Sequence, residues 1–246
     1  MNNFYTNIFP ITNVYKKASD KSELVTQMIY GDSFTVIKKN SKWLKIKIKE
    51  DAYKGFIKNR NYVFFIKPTH KINKLKATFY KFPNKRMRIN ELTFGSKIKT
   101  LEKKSTFFKF YNGWINQKDI KPISYKEKNY FDKIKLFKNI KYKWGGKSFN
   151  GIDCSALIQV ILNFNNRYCP RDTKDQVNYF KKKIRLNSIK KNDVIFWKGH
   201  VAVALSKDNL IHAYGPMKKT LIMGINKTIK RIKKTANLKV IGIRRV

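Results

Sequence analysis

The stretch Trp144-Gly145-Gly146-Lys147-Ser148-Phe149-Asn150-Gly151-Ile152-Asp153-Cys154-Ser155-Ala156 decides the class of fold. Glycines 145, 146 and 151 keep the backbone loose and turning. Beyond them Ala156, Leu157, Ile158, Val160, Ile161, Leu162 and Phe164 follow with helical length and few polar interruptions. The pattern predicts a loop feeding a buried helix. Asp153 is a favoured N-cap type, so Cys154 falls in the first turn, where unpaired N–H groups and the helix dipole favour a thiolate. A cysteine so placed is equipped to be a nucleophile. Taken alone, it reads more readily as a small apolar residue at the start of a core helix. Other residues must decide.

At 246 residues the chain has room for one large domain or several small ones. The segment Met1 to Pro10 lacks a basic start, an apolar core and a small-residue cleavage site, and no later run reaches transmembrane length, so the expected location is cytoplasmic, with no membrane span. Cys154 and Cys169 are expected to be reduced, and without a Cys-x-x-Cys or Cys/His cluster no structural metal or other cofactor is expected. The net charge of +41 would ordinarily point to nucleic acid or an anionic surface. Yet lysines outnumber arginines 47 to 9 and are scattered along the chain, whereas phosphate and base readers cluster charge and favour the arginine fork. Most of the charge therefore reads as a solvated face, with nonspecific, salt-sensitive polyanion binding expected as a side effect. The oligomeric state is not legible.

From Val14 to about Pro68 short alternating runs are broken by turns. Leu44-Lys45-Ile46-Lys47-Ile48-Lys49 alternates strictly, which predicts a half-buried strand with Leu44, Ile46 and Ile48 inward, flanked by strands at Phe34 to Ile37 and Gly55 to Ile57. The same grammar then repeats. Tyr30-Gly31-Asp32 is echoed by Phe94-Gly95-Ser96, and Gly55-Phe56-Ile57 by Gly113-Trp114-Ile115, which implies tandem small β domains. Pro68 to Lys74 and Pro122 to Lys128 read as linkers, with His70 exposed in the first. After about Ile134 the grammar changes to a helical approach, the cysteine helix, a short helix past Cys169, and β-rich runs at Asp193 to Trp197, His200 to Leu205 and Asn209 to Ala213. A helical stretch near Lys227 to Lys234 and a strand at Val240 to Ile243 close the chain. Helix first and antiparallel sheet after is α+β.

His200 and His212 flank one tight turn. If Ser206 to Asp208 form a three-residue loop, Leu205 pairs with Asn209 and the two imidazoles share a face; a two-residue loop at Lys207-Asp208 would put them on opposite faces. A base held by a second polar group beside a cysteine is what nucleophilic catalysis requires. Each histidine alone also reads as a strand-end residue satisfied by the backbone.

Tyr-x-Trp-Gly-Gly at 142–146, Gly-Ile-Asp-Cys-Ser at 151–155, Pro-Arg-Asp at 170–172, Asn-Asp-Val-Ile-Phe-Trp at 192–197, Gly-His-Val at 199–201 and His-Ala at 212–213 together resemble the NlpC-type cell-wall cysteine peptidases. That resemblance implies a papain-like catalytic domain over 126–246, preceded by two all-β SH3-like barrels over 1–68 and 69–125. Carried over residue by residue, it implies Cys154 as nucleophile, His200 as base and acid, and His212 as its orienter. It places Tyr142, Asp153, Ser155, Asp172 and Thr173 around the substrate, with Thr173 where the family has serine. Glu23 and Tyr53 match residues that meet the substrate's N-terminal end.

The subgroup most resembled, the gamma-D-glutamyl-L-diamino acid endopeptidases, implies hydrolysis of the gamma-D-glutamyl-diamino acid bond in peptidoglycan-derived peptides with a free N-terminal L-alanine, a muropeptide-recycling role. Two alternatives stand beside it. One is a catalytically silent module that binds cell wall or nucleic acid, and the other a thiol amidase or acyltransferase on another substrate.

Overall fold

The structure, a computed structural model, describes residues 4–246; the first three residues of the segment read above for a leader lie outside the described residues. Two compact units are present, the first of residues 1–126 and 147–149, the second of 127–146 and 150–246. Among the described residues no helix is long and apolar enough to cross a membrane.

In the first unit, Phe4–Thr6, Ile11–Tyr15, Leu24–Ile29, Ser33–Lys39, Trp43–Ile48, Lys54–Lys58 and Val63–Phe64 form one seven-stranded sheet. The strict alternation at 44–48 emerges as expected, with Leu44, Ile46 and Ile48 buried against Val14, Met28, Phe34 and Ile57. A second apolar core gathers Ile72, Ala77, Phe79, Leu92, Ile98, Phe110, Ile115 and Ile120. It is enclosed by a five-stranded sheet, from Arg88–Thr93 to Glu102–Lys104, and a three-stranded one of Lys97–Ile98, His70–Ile72 and Ile120–Pro122.

The repeated grammar has a repeated geometry. Gly31 and Gly95 take φ of +84° and +81°, and the residue after each closes the same turn, Asp32 N–H to Ile29 O and Ser96 N–H to Thr93 O, both 3.1 Å.

One linker reading is corrected. The segment from Pro68 to Lys74 holds a strand, because Lys71 and Ile72 are buried and His70 to Ile72 pair with strands on both sides. His70 is half-buried, its Nδ1 3.0 Å from Thr69 Oγ1. Alternation over three residues is too short to stand out beside a proline.

The second unit is α+β. Helices α1 (Cys154–Phe164) and α2 (Thr173–Tyr179) precede an antiparallel six-stranded sheet, and α3 (Ile225–Ala236) precedes its last strand in sequence. The strand order is Lys182–Lys183, Val240–Arg245, Asp193–Trp197, His200–Ala204, Asn209–Tyr214, Lys219–Gly224. Every residue of α1 except Asn163 is buried, so the helix is apolar on nearly all sides and packs against the two central hairpin strands. One sheet face, with Ile195, Trp197, Ala202, Ala204, Leu210 and Tyr214, is covered by Ile225 and Ile232 of α3. The Lys219–Gly224 strand was not anticipated, because its apolar residues at 221–223 run consecutively without alternation.

Glycine geometry gives a test of the first unit. A Cβ at Gly31 would sit 2.1 Å from the Lys97 carbonyl oxygen, whereas one at Gly199, φ +74°, meets nothing within 4 Å. Gly31→Ala should therefore lower the unfolding free energy by more than about 2 kcal/mol and Gly199→Ala by only about 1 kcal/mol, read by urea denaturation.

Candidate active site

The site is built at the start of α1. Asp153 has extended backbone and caps the helix by accepting the Ala156 N–H at 2.8 Å, which leaves Cys154 as the first helical residue. The Cys154 Sγ lies 4.0 Å from the Gly199 carbonyl oxygen, one residue before His200. Lys198 and Gly199 form the tight turn joining Trp197 to His200, and the positive φ of Gly199 suits it.

The hairpin after His200 takes the three-residue loop. Leu205 N–H donates to Asn209 O at 2.8 Å, and Val203 pairs with Ile211 and Ala204 with Leu210. That register aligns His212 with Ala202, two residues from His200 on the same face. The outcome is direct contact, with His200 Nε2 2.9 Å from His212 Nδ1. His200 Nδ1 is thus the nitrogen left to exchange a proton with a thiol. For it to accept one, Nε2 must carry the ring hydrogen and donate to His212.

Beneath the cysteine lies a buried ion pair. Arg171 donates through Nη1 to Asp153 Oδ1 at 3.0 Å and through Nη2 to Oδ2 at 2.5 Å, and Nη1 also reaches Ser155 Oγ at 2.9 Å. Ser155 Oγ donates to Asp153 Oδ1 at 3.1 Å, and Gly145 N–H to Oδ2 at 2.9 Å. Gln176 of α2 ties in by donating to the carbonyls of Ser155 and Pro170 at 3.0 and 2.9 Å. Asp153 and Ser155 were expected to meet substrate; within the protein the Asp153 carboxylate accepts from Gly145, Ser155, Ala156 and Arg171. Arg171, within the Pro-Arg-Asp motif, is the residue the sequence reading passed over. Its signal was its place in a motif of a chain with only nine arginines.

The other expected residues are placed as follows. Tyr142 is half-buried; burial first, then the neighbouring Cys154 and Asp153, raise its phenol, which stays protonated and able to donate. Asp172 precedes α2 as its N-cap and Thr173 opens it, both half-buried, with the Asp172 carboxyl raised mainly by burial. Glu23 and Tyr53 belong to the first unit. There Glu23 accepts from Lys16 Nζ at 3.2 Å, and Tyr53 packs on the core of Val14 and Phe34. Cys169 is fully buried.

The charge state differs from the expected thiolate. Burial, followed by the Asp153 charge, pushes the Cys154 thiol up to about 12 against the opposing pull of the Val201 N–H, Arg171 and the Ser155 N–H. Burial lowers His200 to about 4, and burial with the neighbouring His200 lowers His212 to about 3. The resting pair is neutral thiol and neutral imidazole, because desolvation outweighs the helix end.

Two outcomes follow from these contacts. Arg171→Met strands a buried carboxylate and should cost about 3–5 kcal/mol in urea denaturation, whereas Arg171→Lys, which keeps the charge but loses the fork, should cost less. Both histidines have folded pKa values below the unfolded 6.5, so the unfolded chain binds more protons between pH 6.5 and about 3. Unfolding free energy should therefore fall as pH falls through that window, by on the order of 1–3 kcal/mol per histidine, and His212→Phe should flatten the loss.

Comparison with known proteins accords with this geometry. The NlpC/P60 family model matches residues 139–234, and the bacterial dipeptidyl-peptidase SH3 domain model matches residues 14–61. The gamma-D-glutamyl-L-lysine dipeptidyl-peptidase of Bacillus subtilis (strain 168) is 26% identical over 231 residues, covering 83% of this chain and 77% of that one. Its namesake in Bacillus cereus (strain ATCC 10987 / NRS 248) is 23% identical, covering 79% and 68%. The crystal structure of an NlpC/P60 family protein from Bacillus cereus ATCC 10987 superposes with a TM-score of 0.84 at 19% identity, over 98% of this chain and 99% of that one, and so shares the fold. The chain thus carries an NlpC/P60 domain behind a bacterial SH3 domain and is homologous to the gamma-D-glutamyl-L-lysine dipeptidyl-peptidases.

Proposed function

We propose that the protein is a cysteine peptidase that hydrolyses the bond between gamma-D-glutamate and an L-diamino acid in peptidoglycan-derived peptides. The observation that carries the reading is the 2.9 Å contact between His200 and His212 in the sheet that packs against the helix opened by Cys154. The names of the Bacillus relatives support the choice of bond.

The chemistry is that of an acyl-enzyme. The Cys154 S–H proton passes to His200 Nδ1, and the sulfur attacks the gamma-carbonyl carbon of the glutamyl residue. The oxyanion is held by the Cys154 N–H at the helix start and the Tyr142 hydroxyl. The C–N bond then breaks, the diamino acid's amine taking the proton from His200, and a thioester remains. Water, deprotonated by His200, attacks the thioester and restores the thiol as the sulfur recovers its proton. His212 keeps the His200 ring in the required tautomer throughout.

Further parts of the reading concern recognition and organisation. The substrate is a short peptide with a free N-terminal L-alanine, and Glu23 and Tyr53 serve its amino end. Asp172 and Thr173 serve the same peptide. Residues 69–125 form a second SH3-like barrel, supported by the matching turns at Gly31 and Gly95. Muropeptide recycling is the corresponding role.

The test is mass spectrometry of L-alanyl-gamma-D-glutamyl peptides ending in diaminopimelate or L-lysine, incubated with the reduced wild type and with Cys154→Ala. Wild type should release L-alanyl-gamma-D-glutamate and Cys154→Ala none. N-acetylation of the alanine should slow cleavage at least about ten-fold, since the ammonium and its charge-assisted hydrogen bond to a carboxylate are lost, and Glu23→Ala should narrow that gap. No cleavage of any free peptide would overturn the peptidase reading in favour of a binding module.

A further inference from the structure

The two imidazoles are enclosed by aromatic rings that no step above uses. The Tyr214 ring stacks on His212 with centroids 4.7 Å apart and planes 11° from parallel, and lies 5.5 Å from the His200 ring. Trp197, the cross-strand partner of His200, lies 5.6 Å from it on another side. His212 is fully buried, and among the described residues its Nε2 meets no hydrogen-bond partner. The orienter therefore has one hydrogen bond, to His200, and a stacked ring. A single hydrogen bond leaves an imidazole free to pivot about it; the stack removes that freedom.

The same rings face the charge that appears when the thiol proton moves. As the S–H bond of Cys154 breaks and an N–H bond forms at His200 Nδ1, His200 becomes a cation. The rings beside it are His212 and Tyr214 from the adjacent strand and Trp197 across the turn, while Cys154 Sγ lies 4.0 Å from the carbonyl oxygen of the preceding residue, Gly199. His212 is neutral at pH 7, so it contributes a lone pair and no net charge. Both aromatic centroids lie within the ~6 Å range of a cation–π contact, with ring planes tilted 54° (Tyr214) and 40° (Trp197) from that of His200.

We propose that Tyr214 is a positioning residue for the Cys154–His200 couple, its ring face fixing the His212 plane and its π-system, beside His200, favouring the imidazolium form. Trp197 contributes to the same enclosure. The inference rests on Cys154 and His200 being the reacting pair, and it concerns proton transfer between them, not the substrate.

The experiment measures alkylation of Cys154 by iodoacetamide between pH 5 and 10, which reports the thiolate–imidazolium pair without any peptide. Tyr214→Phe keeps the ring and should stay within about a factor of two of wild type. Tyr214→Leu should slow alkylation near neutral pH at least about three-fold, with the rise in rate displaced to higher pH. Should the leucine variant fail to fold, mono-, di- and trifluorinated phenylalanine at position 214 keep the shape while draining the ring quadrupole, and the rate should fall stepwise with fluorination. Equal rates across the fluorinated series, or a phenylalanine variant as slow as leucine, would overturn the proposal. Peptide cleavage absent from a wild type whose alkylation follows the expected series would overturn the peptidase reading alone.

Discussion

The buried ion pair between Asp153 and Arg171 is the constraint on which the catalytic unit depends. The carboxylate that caps α1 is the one the guanidinium grips, so the ion pair holds the local cap in place. Cys154 is thereby the first helical residue, and Ser155 is locked into the same network. Through Gln176 the network also ties the middle of α2 to the first turn of α1. Two charges out of water are tolerated here because nearly every donor and acceptor is matched and the fork geometry is bidentate. Lysine, with a point charge, would leave part of that carboxylate to find other partners.

Enclosure has a second effect, on reactivity. The same burial that protects the ion pair withholds solvent from the thiol and both imidazoles, so the resting site is neutral. A helix N-terminus favours a thiolate, yet here its contribution is smaller than desolvation. The thiol is accordingly quiet until its proton has somewhere to go. In such a site the groups lining the proton's destination matter as much as the thiol's own position.

Part of the large positive charge is accommodated on aromatic rings of the first unit. Many lysines lie over aromatic faces, as Lys58 Nζ does over Trp43 at 4.2 Å and Lys76 Nζ over Phe149 at 4.8 Å. A chain rich in both lysine and aromatic residues can solvate its cations and cover its rings with the same contacts. Of the lysines drawn inward in the first unit, Lys97 meets Glu50 at 2.8 Å and Lys147 meets Asp32 at 3.4 Å, while Lys71 donates to the Tyr125 carbonyl oxygen at 2.6 Å. Glu50 nonetheless has its carboxyl raised, since burial dominates.

Local pattern determined a good deal on its own. The glycine-rich approach, the cap at Asp153, the apolar run of α1, the alternating strand at 44–48 and the repeated turns at Gly31 and Gly95 are all short-range features, settled by neighbours along the chain. The candidate residues Cys154, His200 and His212 were legible as chemistry for the same reason, by type and spacing. Tertiary structure decided what local pattern left open. Whether the two imidazoles met turned on the register of one hairpin, and a slip of a single residue would have sent His212 to the opposite face. Which partner the Asp153 carboxylate met within the protein depended on Arg171, eighteen residues on, and whether Cys154 was thiol or thiolate depended on how much protein surrounds it. Burial and cross-strand contact are sums over distant parts of the chain, so they exist only once it has folded.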